Sequence, residues 1–190
     1  MYELLILGVL TSQDMSGYKL RTILESSLVP RREISNGVMY PLLKKLADQG
    51  FIVFLKAPDT ARNKKFAHLT AAGFTRFQQL MAASVTRDAK RESIFRFKFR
   101  GMAGIDFDTQ EQILTDYEAA EQSDLNSYQE VYRHLQTKLT QSTTNRDDLR
   151  WAIRSLDLSL SICHAKLNWL KNCRQKINQD RKRYSNEQTK

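Results

Sequence analysis

The spacing of hydrophobic residues changes several times along the first half of the chain. The apolar run LLILGVL, residues 4–10, is too short to span a membrane and too continuous for a surface helix, so it predicts a buried helix. In GYKLRTILESSL, residues 17–28, apolar positions recur every three or four residues, which predicts a second helix with Ser16 as its cap. A third helix is predicted between a cap at Ser35 and a stop at Gly50, and its expected buried stripe is Val38, Met39, Leu42, Leu43 and Leu46.

The pattern after Gly50 becomes that of a β-hairpin. FIVFLK, residues 51–56, is rich in β-branched and aromatic residues, and KKFAHLT, residues 64–70, alternates again after a loop with Pro and Asp. Thr70 then caps a fourth helix, whose expected apolar face is Phe74, Phe77, Leu80 and Met81. Three helices followed by a two-stranded hairpin define a winged helix-turn-helix, in which the third helix enters the major groove of DNA and the hairpin flanks the backbone.

The second half of the chain shows no strand pattern. From Thr109 to about Gln141, and again from Asp147 to about Ile177, apolar residues follow heptad-like steps of three and four. The turn TQSTTN joins these two predicted helices into an antiparallel hairpin. Such a hairpin cannot bury both of its apolar seams and its extra aromatic residues by itself. We therefore expect a second copy of the chain to cover them.

These patterns predict a mainly α fold with two parts, an N-terminal winged helix-turn-helix with a two-stranded wing and a C-terminal long-helix antiparallel dimerisation domain. The chain has seven glycines and three prolines in 190 residues, which agrees with a helical protein. The expected divisions are residues 1–85 for the DNA-binding domain, 86–108 for a junction, 109–178 for the helical domain and 179–190 for a basic polar tail that frays.

Charge is distributed unevenly along the chain, whose formal net charge is +9. Residues 1–85 contain eleven Lys and Arg against six Asp and Glu, and residues 86–100 contain six against two. Residues 101–170 are acidic, with six basic against eleven acidic residues, and residues 171–190 are basic again, with seven against two. A basic N-terminal half predicts a polyanionic partner, and double-stranded DNA is the polyanion that a winged helix suits.

The sequence offers little evidence for other chemistry. Cys163 and Cys173 lie ten residues apart on different faces of one predicted helix, so we expect neither a disulfide between them nor a metal site. There is no glycine-rich phosphate loop, no G-x-S-x-G motif and no paired-histidine motif, so we expect no catalysis and no cofactor. The chain also lacks a secretory signal and an apolar run long enough for a membrane span, which favours a cytoplasmic protein without a membrane partner.

Candidate DNA contacts cluster around the third helix and the predicted hairpin tip. Pro41 lies inside the helix, where its missing N–H removes a hydrogen bond to Gly37 and predicts a kink or a tightly wound first turn. Core packing is the alternative for Tyr40, and a solvated face is the alternative for Lys44 and Lys45. The candidates for base or phosphate contacts are Arg31, Arg32, Ser35, Asn36, Tyr40, Lys44, Lys45, Arg62, Lys64 and Lys65.

The strings LGVL, SGYKL, GVMYPLLKKLADQGFI and KKFAHLTAAG together resemble the winged-helix domain of the PadR family of transcriptional regulators. This resemblance covers residues 1–80 by motif, and the rest of the chain resembles the variable helical dimerisation domain of the family in its architecture. The long C-terminal hairpin with Trp169 near its end is similar to the larger PadR subfamily. Within it, the chain looks like the regulators of lactic acid bacteria that repress a phenolic acid decarboxylase gene and are released by hydroxycinnamic acids such as p-coumarate. Ala67 departs from the pattern, because family members often carry tyrosine there.

The resemblance implies a homodimer that binds an inverted-repeat operator, with a pocket for a small phenolic acid between the two domains. Such a pocket needs an aromatic wall and a cation or hydrogen-bond donors for the carboxylate. The junction segment TRDAKRESIFRFKFR interleaves basic and aromatic residues and suits both demands. The candidate carboxylate partners are Arg87 and Arg91, and the candidate walls are Tyr18, Phe95 and Trp151. The alternative is that the aromatic residues join the two domains while the arginines face water or DNA.

Other functions remain open at this point, because a winged-helix fold does not by itself establish transcriptional control. One is a PadR-like regulator with a different effector. Another is a nonspecific nucleic-acid-binding or interaction protein, in which the winged fold binds RNA or protein and the basic tail binds polyanions. Competition by unrelated duplex DNA at moderate salt distinguishes these cases, because it dissociates a nonspecific protein–DNA complex and leaves a specific operator complex intact.

Overall fold

A computed structural model describes residues 2–28, 33–56, 65–86, 88–141 and 146–187 of the chain. Its elements are α1 (Tyr2–Leu10), β1 (Met15–Ser16), α2 (Gly17–Ser27), α3 (Asn36–Asp48), β2 (Ile52–Lys56), β3 (Lys65–Leu69), α4 (Ala71–Ala82), α5 (Arg91–Gly101), a short 3-10 helix (Met102–Gly104), α6 (Phe107–Gln141) and α7 (Arg146–Glu187). The chain divides into two compact units, a first unit Met1–Gln110 and a second unit Glu111–Lys190. The predicted fold class, mainly α with a winged helix-turn-helix and long C-terminal helices, is confirmed.

Helix α1 forms the centre of the first unit. All seven residues from Leu4 to Leu10 are buried, because α2, α4 and α5 all pack against this helix. A helix that is apolar on every side is stable only when it is enclosed in this way. The predicted buried helix at residues 4–10 is therefore the core element of this unit, and Phe77 and Phe97 complete that core from α4 and α5.

Helices α2 and α3 form the helix-turn-helix. The Ser16 hydroxyl caps α2 as predicted by accepting a hydrogen bond from the Lys19 N–H at 3.3 Å. Helix α3 buries Met39, Leu43 and Leu46, which lie at steps of four and three residues. The prediction that Val38 belongs to this buried stripe is wrong. Val38 is 47% exposed, because one residue before Met39 lies about 100° away around the helix.

The wing belongs to a three-stranded antiparallel sheet with the strand order β1-β3-β2. Strands β2 and β3 form the predicted hairpin, in which Ile52 pairs with Leu69. The sequence did not predict β1, which pairs Met15 with Ala67 and Ser16 with Phe66 on the other side of β3. A strand of two residues is too short to show an alternating pattern, and it is held here by its pairing with β3.

Two glycines fix the base of the wing. Gly50, the predicted stop of α3, has φ 73°, a left-handed conformation in which side chains other than glycine are strained. Gly73 lies in the first turn of α4, where an added Cβ would stand 2.0 Å from the Phe51 carbonyl oxygen. Thr70 caps α4 as predicted, because its hydroxyl accepts from the Gly73 N–H at 3.0 Å and donates to the Gly50 carbonyl at 2.6 Å.

The segment predicted as a junction contains α5, which packs against α1 within the first unit. Its Lys98 is buried at 2% exposure, and Nζ donates to the carbonyl oxygens of Met81 at 2.7 Å and Ala83 at 2.5 Å. These carbonyls lie at the C-terminal end of α4, where a positive charge is favourable. Lys98 therefore joins α5 to the end of α4.

The second unit contains most of α6 together with α7, and ionic contacts set the pairing of the two helices. Arg174 on α7 donates to the carboxylates of Glu111 at 2.7 Å and Glu118 at 2.5 Å, both on α6. These contacts raise the pKa of Arg174. Further along, Lys166 Nζ lies 3.1 Å from a carboxylate oxygen of Glu121, which is only 1% exposed.

Both long helices extend beyond their predicted bounds. Helix α6 begins at Phe107 because the Asp106 carboxylate caps it, accepting from the Thr109 N–H and hydroxyl at 2.8 Å each. These hydrogen bonds lower the pKa of Asp106. Helix α7 continues past Ile177 to Glu187, through part of the segment predicted as a tail. Neither helix, nor any other in the described residues, has a stretch that is long and apolar enough to cross a membrane.

Candidate nucleic-acid interface

Helix α3 presents one exposed face that is polar and basic. Successive residues turn by about 100° around a helix, so positions 37, 40, 41, 44 and 45 lie away from the buried side formed by Met39, Leu43 and Leu46. Tyr40 is 61% exposed, and Lys44 and Lys45 are exposed as well. Of the predicted DNA contacts, this helix and its cap therefore bring together Ser35, Asn36, Tyr40, Lys44 and Lys45, all of them exposed.

The geometry of α3 explains how it tolerates Pro41. The helix is continuous from Asn36 to Asp48, and Pro41 and Gly37 are both exposed. Water can therefore reach the Gly37 carbonyl, which receives no N–H from Pro41. The first turn is tight, because the N–H groups of Val38 and Met39 both donate to the Ser35 carbonyl, at 3.0 and 3.1 Å.

Ser35 is the N-cap residue of α3 by its backbone conformation, with φ −66° and ψ 153°. Its hydroxyl makes no capping hydrogen bond, in contrast to the hydroxyls of Ser16 and Thr70. The Ser35 side chain is exposed, and its hydroxyl is not used to cap the helix. A hydroxyl in this position can donate to a phosphate or to a base edge.

Sequence reasoning missed a network that joins α2 to the start of α3. Arg21 Nη1 donates to Asn36 Oδ1 at 3.2 Å, and Arg21 Nε lies 3.7 Å from Glu25 Oε1. The same Glu25 oxygen accepts from the Ile34 N–H at 3.0 Å. The Arg21 guanidinium also lies over the Tyr18 ring, 5.5 Å from its centroid. The spacing of fifteen residues between Arg21 and Asn36 gave no local signal of this contact.

Some of the predicted DNA contacts lie elsewhere. Lys65 is the first residue of β3 and is exposed, and the strand register sets it directly opposite Lys56. Lys65 therefore offers an exposed cation at the start of β3, and an exposed cation favours a partner that carries negative charge. The other predicted contacts, Arg31, Arg32, Arg62 and Lys64, lie outside the described residues.

The predicted effector residues of the first unit differ widely in exposure. Tyr18 is 71% exposed on α2, and Arg91 is half-buried as the first residue of α5. Phe95 is buried at 2% exposure and stacks on Phe99, with ring centroids 6.2 Å apart and an interplanar angle of 27°. Arg87 lies outside the described residues.

In the second unit, Trp151 is 68% exposed on α7, and the Arg154 guanidinium lies 4.8 Å from its ring centroid. An exposed indole beside an arginine is suited to stacking on a flat ligand or on a partner chain. Its role depends on what covers that part of α7.

Among the open surface clefts lined by described residues of the first unit are clefts of about 480 and 570 Å³. Neither is lined by Tyr18, Arg91 or Phe95. The smaller cleft is lined by Glu3, Lys45, Gln49, Phe51, Ala72, Thr75, Arg76 and Gln79. The larger is lined by Thr11, Ser12, Phe74, Gln78, Ala103, Gly104, Ile105 and Asp106.

The cysteines of α7 are placed as ordinary packing residues. Cys163 is buried and Cys173 is half-buried, and burial raises the pKa of both thiols, with the Glu121 carboxylate adding to the effect at Cys163. Burial therefore favours the protonated form of both thiols near neutral pH. Among the described residues, no three His, Cys, Asp or Glu side chains come together in a way that could hold a metal ion.

The helix-turn-helix of α2 and α3, followed by the β2–β3 wing, defines the class of winged-helix DNA-binding domains. Residues 6–79 match the family model described as the transcriptional regulator PadR-like family. Residues 6–79 therefore form a PadR-like domain, which agrees with the resemblance of the motifs.

Several solved structures that resemble the chain are described as PadR or PadR-like regulators. Bacillus subtilis PadR in complex with operator DNA is 24% identical, with a TM-score of 0.41 over 92% of this chain and 96% of that one. The same protein in complex with p-coumaric acid is 24% identical, with a TM-score of 0.39 over 93% and 98%. The PadR-like regulator BC1756 from Bacillus cereus is 20% identical, with a TM-score of 0.38 over 95% and 99%. No curated protein matches the chain.

Proposed function

We propose that this protein is a transcriptional repressor that binds an inverted-repeat operator as a homodimer and is released by a phenolic acid. The single observation that carries the DNA-binding step is the exposed face of α3, on a domain of a family of transcriptional regulators. Asn36 and Ser35 offer short polar groups for base edges at the start of the helix, while Lys44 and Lys45 offer cations for phosphates. The protein acts by binding and not by catalysis.

The proposed homodimer is supported by an apolar stripe on α7. Trp151, Leu158, Ile162 and Trp169 are 68%, 64%, 46% and 43% exposed, and their spacing of seven, four and seven residues sets them on one side of the helix. This side is different from the one that buries Ile153 and Leu170. A large exposed apolar stripe on a long helix is typical of a surface covered by another chain.

The dimer can be tested by a charge placed in that stripe. We expect Leu158→Arg to convert the protein to a monomer in light scattering, because the guanidinium cannot be buried against a second apolar stripe. Asn168→Arg is the matched control, because Asn168 is exposed on another side of the same helix. A Leu158→Arg protein that kept the mass of a dimer would exclude this stripe as the dimer interface.

The two-fold axis of such a dimer determines what the operator should look like. Two identical α3 helices related by a two-fold axis bind an inverted repeat whose half-sites lie about one helical turn, ~34 Å, apart. The phenolic acid must bind the DNA-incompetent arrangement of the dimer more tightly than the competent one, because equal affinity would shift no population. The resemblance to regulators of phenolic acid decarboxylases supports this class of effector and target gene, with Arg91 and Arg87 proposed for the carboxylate.

Fluorescence anisotropy tests the proposal in one titration series. The probe is promoter DNA from the neighbourhood of a phenolic acid decarboxylase gene, at physiological salt, with and without p-coumarate. We expect tight binding to the intact repeat, much weaker binding when one half-site is scrambled, and release by the acid. Equal binding to the intact and scrambled duplexes would exclude the repressor model. Selective binding that p-coumarate did not weaken would exclude only the phenolic acid as the effector.

A further inference from the structure

We propose that Arg21 fixes the orientation of the Asn36 amide, so that Asn36 reads a hydrogen-bond acceptor on a DNA base with its NH2 group. The inference deepens the proposed DNA-binding function and rests on it. It concerns specificity, because an asparagine side chain can present either its oxygen or its NH2 group to DNA. The first of these groups accepts a hydrogen bond and the second donates.

The chemistry of the two side chains determines which way the amide faces. A guanidinium group has five N–H donors and no acceptor, so only the Asn36 oxygen can bond to it. Arg21 Nη1 lies 3.2 Å from that oxygen. Because the oxygen and the NH2 group stand on opposite sides of the amide, the NH2 group is turned away from Arg21. Asn36 is the first residue of α3 and is exposed, so its donors are accessible at the start of the helix.

Arg21 is itself held in place by two residues of α2. Glu25 Oε1 lies 3.7 Å from its Nε, and the Tyr18 ring lies 5.5 Å from the guanidinium carbon. Its Nε is buried and makes no hydrogen bond within the described residues. Glu25 also accepts from the Ile34 N–H, two residues before Asn36. The side chain that orients Asn36 is therefore tied to the same turn that positions α3.

This orientation limits what Asn36 can recognise. An asparagine that reads adenine accepts from N6 with its oxygen and donates to N7 with its NH2 group at the same time. One lone pair of the Asn36 oxygen accepts from Arg21, and the group that Asn36 turns away from Arg21 is its NH2 donor. The acceptors available in the major groove are guanine N7 and O6, thymine O4 and adenine N7, whereas cytosine presents its N4 donor. Arg21 is a positioning residue in this scheme, since it acts on DNA through Asn36.

The test compares base preferences selected from a randomised duplex library. The proteins are the wild type, Asn36→Ala, Arg21→Met and the double variant, each as the full chain. We expect Asn36→Ala to lower the preference at one base pair of each half-site by on the order of tenfold. Arg21→Met should alter the preference at that same base pair and at no other, and the double variant should match Asn36→Ala, because both changes remove one interaction.

Two further variants separate positioning from charge and from folding. Arg96→Met removes the same charge from an exposed arginine that pairs with Glu92 at 3.3 Å on α5, and it should leave every base preference unchanged. Arg21→Lys keeps a cation beside Glu25, so its base preference should lie between those of the wild type and Arg21→Met. If Arg21→Met does not fold, Arg21→Lys takes its place in the comparison. Two results would overturn the inference. In the first, Arg21→Met and Arg21→Lys both keep the wild-type preference at the base pair where Asn36→Ala loses it. In the second, Asn36→Ala changes the preference at no base pair. A wild-type protein that selected no sequence would instead overturn the proposed function.

Discussion

Helix α1 of the first unit and helix α7 of the second unit bury their apolar residues to very different extents. In the first unit every residue from Leu4 to Leu10 is buried, and Phe77 on α4 is fully enclosed. Of the α7 residues with described side chains in the second unit, Ile153, Cys163 and Leu170 alone are buried. The first unit thus closes a core of its own, whereas the second leaves an apolar stripe in water.

We infer from this contrast that the two units have different roles. A unit with a closed core can hold α3 rigidly and present its exposed face to a partner, because the buried side of the helix fixes where that face lies. A unit with an open apolar stripe gains stability when a second copy covers it. In the proposed dimer, recognition of DNA is therefore expected to depend on the first unit, and association of the two copies on the second.

The largest expected effect is at the base of the wing. Gly73→Ala should destabilise the first unit by on the order of 3 kcal/mol, because the new Cβ would meet the Phe51 carbonyl oxygen at 2.0 Å. Gly37→Ala is the matched control, since its nearest neighbour would be the Ser35 hydroxyl at 3.7 Å. It should stabilise α3 by up to ~1 kcal/mol. Thermal unfolding measures both, and equal melting temperatures for the two variants would contradict a tightly closed first unit.

The next effect concerns the buried ion pair of the second unit. Lys166→Ala removes the cation that lies 3.1 Å from Glu121, a carboxylate at 1% exposure, and should cost about 2 to 3 kcal/mol. Arg150→Ala breaks an exposed pair with Asp147 on the same helix and should cost less than ~0.5 kcal/mol. Urea unfolding of the two variants gives the comparison. A loss of stability as small for Lys166→Ala as for Arg150→Ala would show that the pair does not fix the two helices.

A third prediction sharpens the contrast between closed and open units. Both tryptophans, Trp151 and Trp169, lie in the exposed stripe of α7, so tryptophan fluorescence reports on the second unit. We expect its melting temperature to rise with protein concentration, because dimer formation stabilises the folded chain by mass action. The Leu158→Arg variant should lose this dependence. A midpoint that stayed constant in the wild type over about a hundredfold range of concentration would argue against a dimer through this helix.

The smallest expected effect is at the start of α6. Hydrogen bonds from Thr109 lower the pKa of Asp106, so its capping contribution is present at neutral pH and is lost as the carboxylate is protonated in acid. Asp106→Ala should lower the melting temperature at pH 7 by a small amount. The difference from the wild type should shrink once the pH falls below about 4, the ordinary range of an aspartate. A difference that was independent of pH would assign the effect to something other than the carboxylate.

Features set by local sequence were predictable. The caps at Ser16 and Thr70 and the stop at Gly50 each depend on a few neighbouring residues, and the structure has all three. The exposed face of α3 also followed from its apolar spacing. Val38 was misassigned because it lies at the edge of the apolar stripe, where spacing alone does not decide burial.

Features set by tertiary contact were not predictable. Glu121 on α6 is a charged residue, yet it is buried because Lys166 reaches it from a position 45 residues away. Lys98 looked like part of a basic junction, yet it is buried at the end of α4. The contact between Arg21 and Asn36 is of the same kind, since it depends on how α2 crosses α3. A charged residue's sequence neighbours do not show which distant carbonyl or carboxylate it meets.

The salt dependence of DNA binding tests the central claim, that α3 of the first unit contacts DNA, most directly. The measurement compares the wild type with the double variant Lys44→Gln/Lys45→Gln, and with Lys138→Gln/Lys171→Gln, which removes two exposed lysines from the second unit. We predict that the α3 variant binds the operator more weakly and shows a shallower salt dependence, because lysines that neutralise phosphates release counterions. The second-unit variant should behave as the wild type. Equal losses in both variants would contradict the account, because binding would then follow net charge and not the face of α3.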